Sequence, residues 1–208
     1  MVLLRIIFFV VGAALGTLLC RLVREENANP TKRQHQFHLA ASGIYMGSAF
    51  VCASRYIPSG CYIETVIVFA GLMFLTLYAI QDMQEMAVYA AFLHIGILEI
   101  LLLRIFGYLV QHERSELCIF ILSTIAVYAI LKLLVKLRPN IMGEGDYDIL
   151  FIVYMLCGYS GITQALFLSS VIGLIVYAPQ MVTKRSDRQK KIPLAPILYL
   201  GTLAYFWL

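Results

Sequence analysis

Ile141-Met142-Gly143-Glu144-Gly145-Asp146-Tyr147-Asp148-Ile149 is a glycine-flanked acidic turn set between two apolar runs, and the fold follows from how it is read. On its N-terminal side, residues 131–140 form a basic helix end with Lys132, Lys136 and Arg138, closed by Pro139. On its C-terminal side, residues 149–156 are lipid-soluble and open a new apolar segment. Asp146 is therefore expected at or just inside a membrane boundary. Gly143 and Gly145 permit backbone angles that a Cβ resists, so they can wrap irregular chain closely around the carboxylate. Such chain survives at membrane depth only where protein or a water-filled cavity surrounds it, and a carboxylate held there is a functional-site candidate in need of a partner. The same residues also suit a simpler role, a solvated turn in which Asp146 or Asp148 caps the helix that follows.

The rest of the chain has the composition of a membrane protein. Of its 208 residues, 61% are hydrophobic and 13% charged, and the mean hydropathy is +0.83. That leaves too little polar surface for a soluble globule. The net charge of +4 comes from short basic segments beside apolar runs, a topology signal rather than a nucleic-acid footprint. The five cysteines, Cys20, Cys52, Cys61, Cys118 and Cys157, show no CxxC spacing, so neither a zinc site nor a disulfide framework is expected. The first apolar run has no basic region longer than Arg5 ahead of it and reads as a retained helix.

At roughly 20 residues per span, eight segments emerge: 3–23, 37–56, 62–80, 87–109, 116–137, 149–160, 162–178 and 192–208. The expected fold is all-α, a polytopic membrane protein of about eight transmembrane helices forming one domain over residues 1–208. Basic residues cluster after the first span (Arg21, Arg24, Lys32, Arg33), before the acidic turn, and before the last span (Lys184, Arg185, Arg188, Lys190, Lys191). All three groups fall on one face, which the positive-inside rule makes cytoplasmic, so both termini point away from the cytoplasm. Residues 149–178 are long enough for one tilted helix. That choice would send the most basic loop outside, whereas a turn at Gly158-Tyr-Ser-Gly161 keeps it inside.

Only four aspartates occur: Asp82, Asp146, Asp148 and Asp187. Asp82 follows the third span, which returns to the cytoplasm, so Asp82 and the acidic turn share a face. Two carboxylates meeting in a partly dry site cannot both ionise easily, and one keeps its proton. Such a pair can deprotonate water and hydrogen-bond a peptide carbonyl, the chemistry of an aspartic protease. Interfacial acids that are merely solvated, or that relay protons in a small transporter, fit the same spacing.

The ordered motifs resemble those of the type IV prepilin peptidases, membrane aspartyl proteases of the GxGD type. Gly12-Ala-Ala-Leu-Gly16 leading to Arg21, Asp82-Met-Gln-Glu-Met-Ala-Val88, Gly143-Glu-Gly-Asp146, Leu168-Ser-Ser-Val-Ile-Gly173 and Ile192-Pro193-Leu-Ala-Pro196 appear in the family's order over nearly the whole chain. The resemblance implies catalysis by Asp82 and Asp146, with Gly143, Glu144, Gly145 and Asp148 shaping the motif or contacting substrate. It also implies no metal or other cofactor, a bacterial inner-membrane location, and a prepilin or pseudopilin substrate with a basic leader and a hydrophobic helix, cut on the cytoplasmic side. Three departures stand out. Asp148 occupies the place of the family's lysine, and Tyr89 that of its proline. The segment from Arg24 to Gln36 lacks the paired cysteines of bifunctional members, so the resemblance extends to a short-form peptidase and not to the N-methyltransferase.

Elsewhere, Glu99 lies inside the fourth span and Arg104 about one turn on, an expected structural pair. His94 is expected as a hydrogen-bonded packing residue and Asp187 as a solvated loop charge. The small-residue clusters 40–43 and 47–49 suit helix packing, either with a substrate helix or within the chain. The aromatics from Tyr199 to Trp207 suit an interfacial belt. A non-catalytic pilin-binding scaffold shares most of these features.

Overall fold

The computed structural model describes residues 2–22, 32–54, 62–85, 88–137, 143–183 and 193–208. These residues form helices α1 (Val2–Leu22), α2 (Lys32–Ala53), α3 (Tyr62–Glu85), α4 (Ala90–Val110), α5 (Arg114–Leu137), α6 (Glu144–Thr183) and α7 (Ala195–Trp207). No strand occurs among the described residues. Four stretches are long and apolar enough to cross a membrane: Tyr62–Met83, Ala90–Val110, Arg114–Leu137 and Glu144–Ala178. Shorter apolar stretches are Arg5–Leu18, Ala40–Ala53 and Ala195–Trp207. The basic segments around Arg24, Arg55, Arg138 and Lys184–Lys191, with Asp187, lie outside the described residues.

If straight, α6 would extend about 60 Å, twice the thickness of a bilayer's hydrocarbon core. It does not run straight, because Gly158 takes φ 71°, ψ 179°, a conformation open in practice to glycine alone. The neighbours give the direction of each part. The arm 144–157 runs antiparallel to α3, since Asp146 lies near Asp82 and Leu156 packs on Gly71. Helix α7 is also antiparallel to α3: the Ala195 amide bonds Asp82, and Tyr199 lies close to Thr76. The arm 159–183 runs antiparallel to α7, with Gly161 against Tyr205, Ser169 against Gly201 and Gly173 against Ile197. The two arms therefore point in opposite directions, and α6 is a hairpin folded at Gly158. The reversal expected from loop charge is present, but the first arm begins at Glu144 instead of 149 and so takes in the whole acidic motif.

Helix α3 is the centre of the bundle, with Leu72, Leu75, Tyr78, Ala79 and Ile80 fully buried. Ile152 and Val153 of the first α6 arm are equally buried. Helix α5 is peripheral, and α1 packs chiefly on α2. Between α1 and α2 small residues let the backbones approach, with Gly16 against Ser42, Gly43 against Ala13 and Gly47 against Phe9. Close packing of this kind substitutes for the hydrophobic drive that lipid does not supply. It also gives Ser42, Gly43 and Gly47 of the clusters 40–43 and 47–49 a place in packing the chain's own helices. Tyr199 departs from the expected interfacial belt: it is fully buried, hydrogen-bonds the Tyr45 carbonyl and lies 2.8 Å from the Ser48 hydroxyl. Trp207, at 46% exposure, stays on the surface of the protein.

Candidate functional site

Asp82 stands in the last turn of α3, inside the helix rather than after it, and is only 9% exposed. Its burial is tolerated because another helix feeds it. The first-turn amides of any helix lack intrahelical acceptors, and Leu194, at the start of α7, offers no side-chain cap. Asp82 supplies the missing acceptor from α3: Ala195 N–H donates to its Oδ2 at 2.9 Å. The carboxylate thus sits against the positive end of α7. Pro193 and Pro196 had marked this helix start in the sequence, but nothing there linked it to Asp82.

Asp146 occupies the first turn of α6, half-buried. Its Oδ2 accepts the Gly143 N–H at 3.1 Å, while its own amide donates to the Gly143 carbonyl at 3.1 Å. An acid reaching back from the third helical position to the residue before the helix is half of a capping box. The capping role read from the sequence and proximity to a second acid therefore coexist in one side chain. Among the described glycines only Gly158 has a positive φ: Gly143 leads into the helix and Gly145 lies within its first turn, while Ile141 and Met142 of the motif lie outside the described residues. A Cβ on Gly143 would come 3.4 Å from Asp146 Oδ2, so its small size keeps that side of the carboxylate uncrowded. Glu144 is exposed at the same turn.

The carboxylates of Asp82 and Asp146 lie close enough for their charges to interact. Tyr177, late in the second α6 arm, lies within similar reach of Asp82, and no pattern in the sequence pointed to it. The site is therefore built from the end of α3, the two ends of α6 and the start of α7.

Asp148, where the family has a lysine, is buried at 8% exposure and pairs with Lys132 Nζ of α5 at 3.0 Å, a partner that the sequence did not indicate. Lys132 also stands 5.4 Å from the centre of the Tyr128 ring, which packs on Phe151 with ring centres 5.1 Å apart. Lys132 had been read only as a topology signal. Because the lysine side chain is 41% exposed and the aspartate side chain 11%, loss of the two partners is unequal. Lys132→Met strands a buried carboxylate and lowers thermal stability by about 1 kcal/mol more than Asp148→Asn does. Melting of the detergent-solubilised variants checks the order.

The expected Glu99–Arg104 pair does not form. Arg104 pairs with Glu64 of α3 at 3.1 Å, and Glu99 lies exposed on α4. Five residues apart on one helix, the two side chains point about 140° away from each other and do not share a face, so Arg104 takes the across-helix partner. His94 is also exposed, with Nδ1 2.6 Å from the Ala90 carbonyl, so it is hydrogen-bonded but not packed inside.

The model of the type IV leader peptidase family matches residues 69–178, more than half of the chain, from mid-α3 through both arms of α6. A prepilin leader peptidase/N-methyltransferase of Xanthomonas campestris pv. campestris is 33% identical over 67 residues, which make up 32% of this chain and 23% of that protein. The chain thus matches less than a quarter of that relative's length. No solved structure matches. On the family match, which takes in both Asp82 and Asp146, the chain belongs to the type IV leader peptidase family.

Proposed function

We propose that the chain is an aspartic endopeptidase that removes the basic leader from prepilin-like proteins at the cytoplasmic face of a bacterial inner membrane, with Asp82 and Asp146 as the catalytic pair. The observation that carries this reading is the meeting of those two acids, one at the end of α3 and one at the start of α6, in a site where each is held by a backbone amide. One carboxylate, ionised, takes a proton from water as the hydroxide oxygen bonds the scissile carbonyl carbon. The other, protonated, hydrogen-bonds the carbonyl oxygen. Collapse of the tetrahedral intermediate breaks the C–N bond, and a proton passes to the leaving amine. Gly143, Glu144 and Gly145 form the rim on the Asp146 side, where exposed Glu144 suits a basic leader. Asp148 holds the motif to α5.

Counting the α6 hairpin as two spans gives eight, and the helix directions put Val2 and the end of α7 at the far end of the bundle from the acids. Both features support a multi-pass protein whose termini face away from the cytoplasm. The test is cleavage by the purified full chain, in lipid nanodiscs, of a panel of prepilin-like substrates, with product N-termini read by mass spectrometry. A single cut between the basic leader and the hydrophobic helix is expected. A correctly folded chain that cuts none of the panel overturns the reading.

A further inference from the structure

The first arm of α6 ends in a way that demands an outside partner. At Gly158 the helix stops, and the carbonyls of its last turn lose their intrahelical donors among apolar helices, where an unpaired carbonyl is costly. Arg104 of α4 supplies the donors: Nε bonds the Met155 carbonyl at 3.1 Å and Nη2 the Leu156 carbonyl at 2.5 Å. Its Nη1 meets both oxygens of Glu64 at 3.1 Å, which balances the charge. The arginine side chain is 13% exposed. At the same level Leu156 packs directly on Gly71 of α3.

One guanidinium therefore joins three helices, and two of them carry the acids. Glu64 belongs to the helix that ends in Asp82. Met155 and Leu156 close the arm that begins with Asp146. We propose that Arg104 is a positioning residue for the acid pair: by capping the broken end of the arm and tying it to α3, it sets the placement of Asp146 against Asp82 from the opposite end of the helices. This inference rests on the reading of those two acids as the catalytic pair. The lever is long enough to matter. Over about 15 Å of arm, a tilt of about 4° moves its start by about 1 Å, and a misplacement of about 1 Å can cost about a hundredfold in rate. Lysine, a point charge without a planar fork, can serve only part of this set.

The experiment compares the native chain, Arg104→Gln and Arg104→Lys in nanodiscs. Kinetics of leader cleavage are measured beside the distance distribution between nitroxide labels at positions 83 and 144, in a cysteine-free background whose helicity and melting match the native chain. Arg104→Gln is expected to broaden the distribution and to lower kcat by about a hundredfold with KM within about twofold of native. Arg104→Lys is expected to lie between the two. An unchanged distribution in Arg104→Gln overturns the proposal, whether or not activity falls. A broadened distribution with native kcat overturns it too. Should Arg104→Gln fail to fold, Arg104→Lys decides on the same two readouts. If the native chain cleaves nothing, the peptidase reading fails by itself, and the label distances still report whether Arg104 holds the two helices in place.

Discussion

Asp82→Asn and Asp146→Asn each lower the rate of leader removal by at least about a hundredfold while leaving the chain folded. The fold survives because asparagine keeps an oxygen that can accept the Ala195 or the Gly143 amide, the bonds that anchor the two side chains. What asparagine cannot do is exchange a proton. With Asn at either position the pair has lost its base or its acid, and neither attack on the carbonyl nor departure of the amine is assisted. Initial rates on a prepilin-like substrate, with circular dichroism and melting on the same preparations, measure both halves of the expectation. Retention of more than a tenth of the native rate by either variant removes that residue from the mechanism.

Gly158→Ala lowers stability by about 1–3 kcal/mol, although the site has room for the added methyl. No atom lies within 4 Å of where a Cβ would stand, so the cost is backbone conformation, φ 71° with ψ 179°, and not crowding. The same geometry supplies a control. Asparagine tolerates the left-handed helical region, but ψ here is far from that region, so Gly158→Asn gains nothing over Gly158→Ala. Thermal unfolding of the solubilised chain compares the three. A variant at native stability would mean that the hairpin does not fold on this residue.

The all-helical class and the reversal near Gly158 were legible because each rests on a one-dimensional signal: apolar length for the first, loop-charge asymmetry with a glycine-serine break for the second. The two acids could be assigned to one face for the same reason. Pairings across helices were not legible. Arg104 had an acid nearby in sequence on its own helix and another on α3; closeness in sequence suggested the first, but at five residues' separation it faces another side of the helix, and the pair forms with Glu64. Lys132 was read as a topology charge because a sequence does not show which loop ends touch, so its bond to Asp148 stayed hidden. Asp82's bond to Ala195 was hidden similarly, although a proline-marked helix start always has spare amides to place. The glycines of the acidic motif misled in the other direction. They suggested irregular backbone, and from Gly143 onward the chain is an ordinary helix start.

The fold-back of α6 has a consequence for the surrounding lipid. From Glu144 to its turn the first arm rises about 21 Å, short of the roughly 30 Å of acyl-chain interior in a typical membrane. At that turn Tyr159 is 69% exposed, and with Ser160 it lines a cavity of about 200 Å³ together with Tyr108, Glu116 and Ser123 among others. A segment shorter than the hydrocarbon it crosses is accommodated by local thinning of the bilayer or by water at its end, so the stability of the protein is expected to depend on the thickness of the membrane that holds it.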